Sequence, residues 1–486
     1  MSWKRILCLY PYSPRKKSEQ LYGGMAIVNP IGLEVVATMA AQYAPVMLVD
    51  LRLETQPLDD LIAQFQPDLC LVSVNWGRDK HVDRVMRRLP SEATLMIGGI
   101  HPTQYPEKYL DAYPELDLFC MGYGEQTVRE LLTKASPRGV RGLWYRDRAK
   151  AYPPASRSGG QAFRGNGTLV RNGERYDVAV SHFHINRSLR RYEYPFFGLK
   201  GDNIATSIGC PMVCAFCGWR KNIYGEPQKW NPRPAEDVVE EIAETNAEAV
   251  HIVDANFAHD ARRVEKICDL LIQRDIRRLL CCEIRINALS RSAELVKKME
   301  RAGFFLFMIG IEAADDGVLN SLKKGYSVKM CRRAFENLSR THIVTFGNFV
   351  IGVPGQTRAD MLHVADYARE LGVDFISPNK LYAYPETPFC DWVLQHPGYR
   401  IEGRRHYVVS NEIGINDLRR IQRKIYFRFF RIARLRACYR KALSHPMAIK
   451  IGRERIREAI LGSMRSHLIE PQWRRRLLKK ALGRFK

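Results

Sequence analysis

The stretch Ser207 to Arg220, "SIGCPMVCAFCGWR", places three thiols at Cys210, Cys214 and Cys217, spaced four and three residues apart, and follows the last with Gly-Trp. Thiolates are soft ligands suited to zinc or to iron–sulfur clusters. A structural zinc site takes four protein ligands, and no fourth cysteine stands nearby. A cube of four irons held by three thiolates leaves one iron open, and an open iron can chelate an amino group and a carboxylate. A zinc site completed by a remote Cys or His remains the alternative at this point.

Other residues that can hold a ligand follow the thiols in order. "EIRINAL" offers Glu283, Arg285 and Asn287, which strand alternation would place on one face. Such a trio can bond a ribose, and an arginine fork can grip a carboxylate with two bonds. "MIGIEA" brings Glu312 to a strand end, and "GNFVIGVPGQT" supplies Gly352 and Pro354, where backbone can approach a flat base closely.

These residues need a scaffold, and the pattern of the chain supplies one. From about 201 to 400, "NIATSIGC", "AVHIVDAN", "LLCCEIRI", "FFLFMIGIE", "IVTFGNFVIGVP" and "FISPNKLYAYP" read as strands. Helical segments such as "PAEDVVEEIAET" and "RADMLHVADYAREL" separate them. Six strand–helix units predict a partial parallel barrel with its ligands at the carboxyl ends of the strands. Residues 1 to about 145 alternate in the same way ("RILCLYPY", "PVMLVDLR", "LCLVSVNW", "TLMIGGIH", "LDLFCMGYG"), which predicts a doubly wound, Rossmann-like parallel sheet. Its strand ends carry Ser73, Asn75, Gly98, Gly99 and Gly124. Residues 146–200, rich in Gly, Arg and Ser, read as a hairpin-bearing linker. Residues 401–486 read as basic helices whose apolar stripe includes Ile421, Ile425, Phe429 and Ile432. The fold class is therefore α/β: a doubly wound domain, a partial (β/α)6 barrel and a basic helical C-terminal region.

The Cys-x3-Cys-x2-Cys spacing just after a first barrel strand, with Phe216 before the last thiol, resembles the radical S-adenosylmethionine (radical SAM) superfamily. The resemblance implies that Cys210, Cys214 and Cys217 hold a 4Fe–4S cluster. It also implies that Phe216, Asp254, Glu283, Arg285, Glu312, Gly352 and Pro354 surround S-adenosylmethionine, and that one electron releases a 5′-deoxyadenosyl radical. A doubly wound domain before such a barrel, with "SVNW", "GGIHPTQYPE" and "GYGEQTVRELL", resembles the cobalamin-binding subclass, and it implies Ser73, Gly98 and Gly99 as cobalamin contacts. One departure stands out: the first loop, "YPYSPRKKSEQLYGG", has no histidine where the Asp-x-His-x-x-Gly motif has its cobalt ligand. His101 either approaches the cofactor or caps its turn.

Enzymes of this layout that modify tetrapyrroles and hopanoids, and the anaerobic Mg-protoporphyrin monomethyl ester cyclase family, carry segments similar to "PIGLEVVATMA" and the aromatic-basic C-terminus. The resemblance implies methyl transfer to an unactivated carbon of a large hydrophobic substrate, a tetrapyrrole or isoprenoid lipid. Oxidative cyclisation with the same cofactors is the alternative. It also implies a flavodoxin- or ferredoxin-like electron donor. A transfer-RNA methylthiotransferase, which has further N-terminal cluster cysteines, fits poorly, since Cys8, Cys70 and Cys120 each fall on a buried strand. A zinc-containing RNA-binding or scaffold protein is the reading outside the enzyme class.

Composition bounds these readings. The 486 residues exceed what one core supports, and 46% hydrophobic with 26% charged residues is ordinary for a folded chain. About 18 uninterrupted apolar residues occur nowhere, which argues against a spanning helix. Twelve cysteines without an export signal or framework spacing point to the reducing cytoplasm and to metal ligation rather than disulfides. The net charge of +24 admits an anionic partner. The basic helices suit a cap on the barrel or a peripheral membrane contact better than nucleic acid, for which no recognisable module is visible.

Overall fold

The computed structural model describes residues 3–13, 20–21, 26–134, 136–147, 168–175, 184–218, 229–385, 387–403 and 406–467. The expected linker segments 148–167 and 176–183, Trp219, Arg220 and the last basic stretch "QWRRRLLKKALGRFK" lie outside them. The chain divides into two compact units, Met1–Tyr194 and Pro195–Lys486.

In the first unit, strands β1 (Ile6–Tyr10), β2 (Val46–Asp50), β3 (Leu69–Ser73), β4 (Thr94–Gly98) and β5 (Leu118–Cys120) run parallel in the spatial order 2-1-3-4-5. Every residue of β1 is buried, as expected where helices cover both faces of a parallel sheet. The helices are α1 (Ile31–Ala40), α2 (Leu58–Phe65), α3 (Lys80–Met86), α4 (Ile100–Gln104), α5 (Pro106–Leu110) and α6 (Gly124–Lys134). Asp79 starts α3 by accepting bonds from the amides of His81 and Val82, the usual service of an N-cap aspartate. Strands β6 (Leu143–Asp147) and β7 (Thr168–Arg171) extend the sheet antiparallel beyond β5. The boundary expected at 145/146 thus falls inside a paired strand. In this strand order, β1 and β3 flank the crevice where the winding reverses, and ligands bind there at the carboxyl ends.

In the second unit six parallel strands follow one another: β8 (Leu199–Ile204), β9 (Ala249–Ile252), β10 (Leu279–Arg285), β11 (Phe304–Glu312), β12 (Val344–Ile351) and β13 (Phe375–Lys380). The helices between them are α7 (Ala235–Glu244), α8 (Ala261–Gln273), α9 (Ile286–Arg291), α10 (Ala293–Arg301), α11 (Asp316–Ser321), α12 (Val328–Leu338) and α13 (Arg358–Leu371). Their apolar stripes (Val264, Ile267, Cys268 and Leu271 on α8, for example) join the strand side chains in one core.

Four expectations are corrected here. "NIATSIGC" is not one strand: β8 ends at Ile204, and Ser207–Ile208 turns away to pair antiparallel with Asn231–Pro232. Asn287 is not on the face of β10, because the strand ends at Arg285 and α9 begins at Ile286. The region after 401 is not wholly helical. After α14 (Pro388–Gln395), a hairpin of β14 (Tyr399–Glu402) and β15 (Tyr407–Ser410) precedes the helices, with Gly403 at φ 75° just past β14. Helices α15 (Ile415–Phe429), α16 (Ile432–Ser444), α17 (Pro446–Ile451) and α18 (Arg453–His467) follow. Ile421, Ile425 and Phe429 of α15 enter the barrel core, as the stripe predicted, and Leu418 joins them. Ile432 does not: the helix breaks at Phe430–Arg431, and Ile432 opens α16 on the surface.

Candidate active site

The cysteine loop springs from the carboxyl end of β8, and buried polar groups fix its base. Asp254, just past β9, accepts from the Thr206 amide (2.7 Å) and hydroxyl (2.6 Å) and from the Ser207 amide (3.1 Å) and hydroxyl (2.6 Å). Burial pushes the Asp254 carboxyl up, and these four bonds oppose the rise. Asp254 therefore aims the base of the loop. Arg263 ties down the Thr206 carbonyl at 2.8 Å. Gly209, at φ 80°, turns the chain into Cys210.

Past the turn, Cys214 is buried and Cys210 and Cys217 are partly exposed. Arg285, at the end of β10, points Nη1 at the Cys214 sulfur (3.1 Å) and Nη2 at the Lys324 carbonyl. The Ala215 amide donates to the Leu322 carbonyl at 3.0 Å, so the loop leans on residues 322–326. Lys324 is only 5% exposed. Its ammonium donates to Glu312 at 2.9 Å and lies 5.7 Å from the Phe216 ring centre and 5.6 Å from that of Tyr326. Glu312 occupies a left-handed backbone at φ 66°, beside a register shift between Gly310 and Glu312 that redirects its side chain. Burial pushes the Cys210 thiol up, while the Met212 amide, Arg285 and Lys324 pull it down. Two guarded cations beside thiols suit a site that must carry several thiolate charges.

The structure brings Phe216, Arg285 and Glu312 together around this loop. Glu283 lies on the same strand as Arg285, with Oε2 3.3 Å from His251 Nε2 and a half-open carboxylate. Asn287, although on α9, still belongs to the neighbourhood, donating to the Gly325 carbonyl at 3.0 Å. Gly352 (φ 83°) ends β12, where a Cβ would meet Leu418 at 3.2 Å, and Pro354 follows in the same turn. Lys324 and Tyr326 were missed by sequence reading. The signal was "SLKKGY" after a strand–helix step, but nothing in it says that one of two adjacent lysines is buried.

Three buried polar atoms near these strand ends have no hydrogen-bond partner among the described residues: Asn256 Oδ1, Arg285 Nε and Asn287 Oδ1. Native proteins seldom leave such atoms unpaired without a ligand or water to meet them. With three soft thiols on one loop, they fit an iron–sulfur cluster and a polar nucleotide ligand. Among the described residues no group of three His, Cys, Asp or Glu side chains is arranged to hold a single metal ion.

In the first unit, Ser73 and Gly98 are paired across β3 and β4 at their carboxyl ends. Gly98 and Gly99 serve the protein's own packing: a Cβ on Gly98 would meet Cys120 at 3.1 Å, and one on Gly99 (φ 107°) would lie 2.6 Å from the Val74 carbonyl. Tyr12 braces the same edge, its hydroxyl accepting from the Trp76 amide at 2.7 Å. His101 is held by Tyr109 at 2.7 Å through Nδ1, and its ring fills the space over Gly77. This edge presents Trp76 (57% exposed) and Ile100 (47%), an apolar platform that suits the face of a large flat cofactor.

A parallel partial barrel with a three-cysteine loop at the carboxyl end of its first strand defines the radical SAM class, and the Radical SAM superfamily model matches residues 204–368. The B12 binding domain model matches residues 26–132. The chain belongs to the B12-binding radical SAM enzymes. It is 22% identical to the uncharacterized methyltransferase PH0819 of Pyrococcus horikoshii, over 82% of this chain and 87% of that protein. It is 24% identical to the anaerobic magnesium-protoporphyrin IX monomethyl ester cyclase of Synechocystis, over 71% and 68%. Its fold matches that of the cobalamin-dependent S-adenosylmethionine radical enzyme OxsB with a TM-score of 0.64 at 16% identity, covering 99% of this chain and 75% of the other. The protein is a cobalamin-dependent radical SAM methyltransferase-like enzyme, and its cofactors are a 4Fe–4S cluster, S-adenosylmethionine and cobalamin. The zinc scaffold reading is thereby overturned.

Proposed function

We propose that this enzyme transfers a methyl group to an unactivated carbon of a large hydrophobic substrate, a tetrapyrrole or an isoprenoid lipid. The observation that carries the reading is the union, in one chain, of a B12-binding domain with a radical SAM barrel, matched along most of its length by a relative named as a methyltransferase. When bound, the cluster and S-adenosylmethionine supply a carbon radical that takes hydrogen from the substrate, and cobalamin supplies the methyl group.

The chain's own residues would divide the remaining work. Cys210, Cys214 and Cys217 would hold the cluster, with Arg285 offsetting thiolate charge at Cys214. Glu283, Asn287 and the free Arg285 Nε would orient the nucleotide, and Phe216 would shield the cluster from water. Glu312 and Lys324 would position the loop. Ser73, Trp76 and Ile100 would bed the cobalamin. A flavodoxin- or ferredoxin-type protein would deliver the electron.

The test is to grow cells that make the enzyme on methionine with a deuterated methyl group and to compare their pigment and lipid extracts by mass spectrometry with those from a Cys214→Ala strain. A product that carries the labelled methyl only when Cys214 is present supports the reading. A Cys214-dependent product without label refutes methyl transfer and favours oxidative cyclisation, the activity named for the Synechocystis relative.

A further inference from the structure

The charge of this protein is concentrated at one end. From residue 415 onward the sequence has 22 Lys and Arg against 4 Asp and Glu, so 18 of its 24 net positive charges lie there. Helices α15 and α16 hold nine Lys and Arg, with Arg431 a tenth between them, against a single Asp, Asp417. The buried stripe of α15 explains how the helix packs but not what its other face is for. On that outer face Arg420, Arg423, Lys424 and Phe427 follow at helical spacing, all exposed. On α16 the exposed stripe is Ile432, Arg436 and Arg440.

Two large apolar side chains flank the elbow between these helices: Phe427 is 57% exposed and Ile432 is 37% exposed. Beside the elbow lies a cavity of about 430 Å³ lined in part by Arg369, Arg431, Arg434 and Asp374. Lys441 neutralises Asp374 at 2.8 Å, and Arg434 stiffens the wall by donating to the Val373 carbonyl at 2.7 Å. The elbow therefore combines apolar tips, arginine rows on both sides and a basic recess of headgroup size.

We infer that the α15–α16 elbow docks on an anionic lipid surface, with Phe427 and Ile432 entering the headgroup region and the arginine rows lying on lipid phosphates. Interfacial helices bind through this pairing of apolar insertion with basic attraction. A nucleic-acid surface would account for the arginines but leaves the two apolar tips unexplained, because non-specific binding to it runs on phosphate contacts. The inference rests on this surface alone and stands whatever the barrel methylates.

The test is flotation of the full-length protein with vesicles of phosphatidylcholine alone, or with about one third phosphatidylglycerol. Binding is expected only to the anionic vesicles, weakening as salt is raised. Each cation near such a surface strengthens binding about fivefold, so Arg420→Gln/Arg423→Gln/Lys424→Gln should weaken it by about a hundredfold. Phe427→Asp/Ile432→Asp should weaken it at least tenfold. All five positions are exposed, and circular dichroism melting checks that the variants fold. Failure to float with anionic vesicles, or full binding by either variant, overturns the inference. So does wild-type binding that a single-stranded RNA competes away while Phe427→Asp/Ile432→Asp binds that RNA as wild type does, which would identify a nucleic-acid surface. Release of vesicles by millimolar inorganic phosphate at constant ionic strength would likewise overturn it, by making the recess a free-phosphate site.

Discussion

The Lys324–Glu312 pair beneath the cysteine loop gives the sharpest prediction. Both side chains are nearly inaccessible, and the ammonium-to-carboxylate distance is 2.9 Å. Lys324→Met keeps the methylene stem against Phe216 and Tyr326 and removes only the charge. Glu312 is then a buried carboxylate without its partner, and breaking such a pair from one side costs about 3–5 kcal/mol. The single variant should therefore lose about 3–5 kcal/mol, and with a urea dependence of about 3 kcal/mol per M its midpoint should fall by roughly 1 M or more. Lys324→Met/Glu312→Gln removes the stranded charge and should recover most of the loss.

Urea unfolding of the cluster-free chain at pH 7, followed by a probe in the barrel, measures both variants. A single variant within about 1 kcal/mol of wild type, or a double variant no better than the single, would refute the idea that this pair holds the floor of the site.

Three further outcomes are expected. His445 is fully buried, with Nε2 placed to donate to the Phe304 carbonyl (3.0 Å) and Nδ1 to accept from the Met447 amide (3.2 Å); burial pushes its pKa down to about 4. Stability present above the unfolded value near 6.5 should thus fall by about 3 kcal/mol as the pH drops from 6.5 to 4, and His445→Gln should flatten that slope in thermal melts. Gly99→Ala would force a Cβ to 2.6 Å from the Val74 carbonyl at φ 107°. It should destabilise the first unit by about 1–3 kcal/mol and loosen cobalamin retention on gel filtration, while the iron content stays unchanged. Cys214→Ala should abolish the brown absorbance and formation of 5′-deoxyadenosine after anaerobic reconstitution; retention of the full iron load would remove Cys214 from the cluster ligands.

The sequence by itself determined a good deal of this protein. Six apolar runs, each four to nine residues long in the folded barrel, and the helical stripes between them specify a parallel sheet, because only strands covered on both faces read as unbroken Val, Ile and Leu. The thiol spacing is equally local: a cluster loop needs its three donors within reach of one another along the chain. What the sequence did not decide depends on contacts between distant segments. That Asp254 holds the base of the cysteine loop shows only when the fold brings Thr206 and Ser207 to it from 47–48 residues away. Of two adjacent lysines, Lys324 becomes the buried one because Glu312 of β11 and Phe216 of the cysteine loop converge on it beside Tyr326 of its own loop. Asn287 leaves the strand face because the chain turns into α9 one residue after Arg285. Ile432 falls outside the apolar stripe because the helix breaks before it. Periodicity records which face of an element is apolar. Which polar groups meet at the mouth of the barrel is decided only when the strands lie side by side.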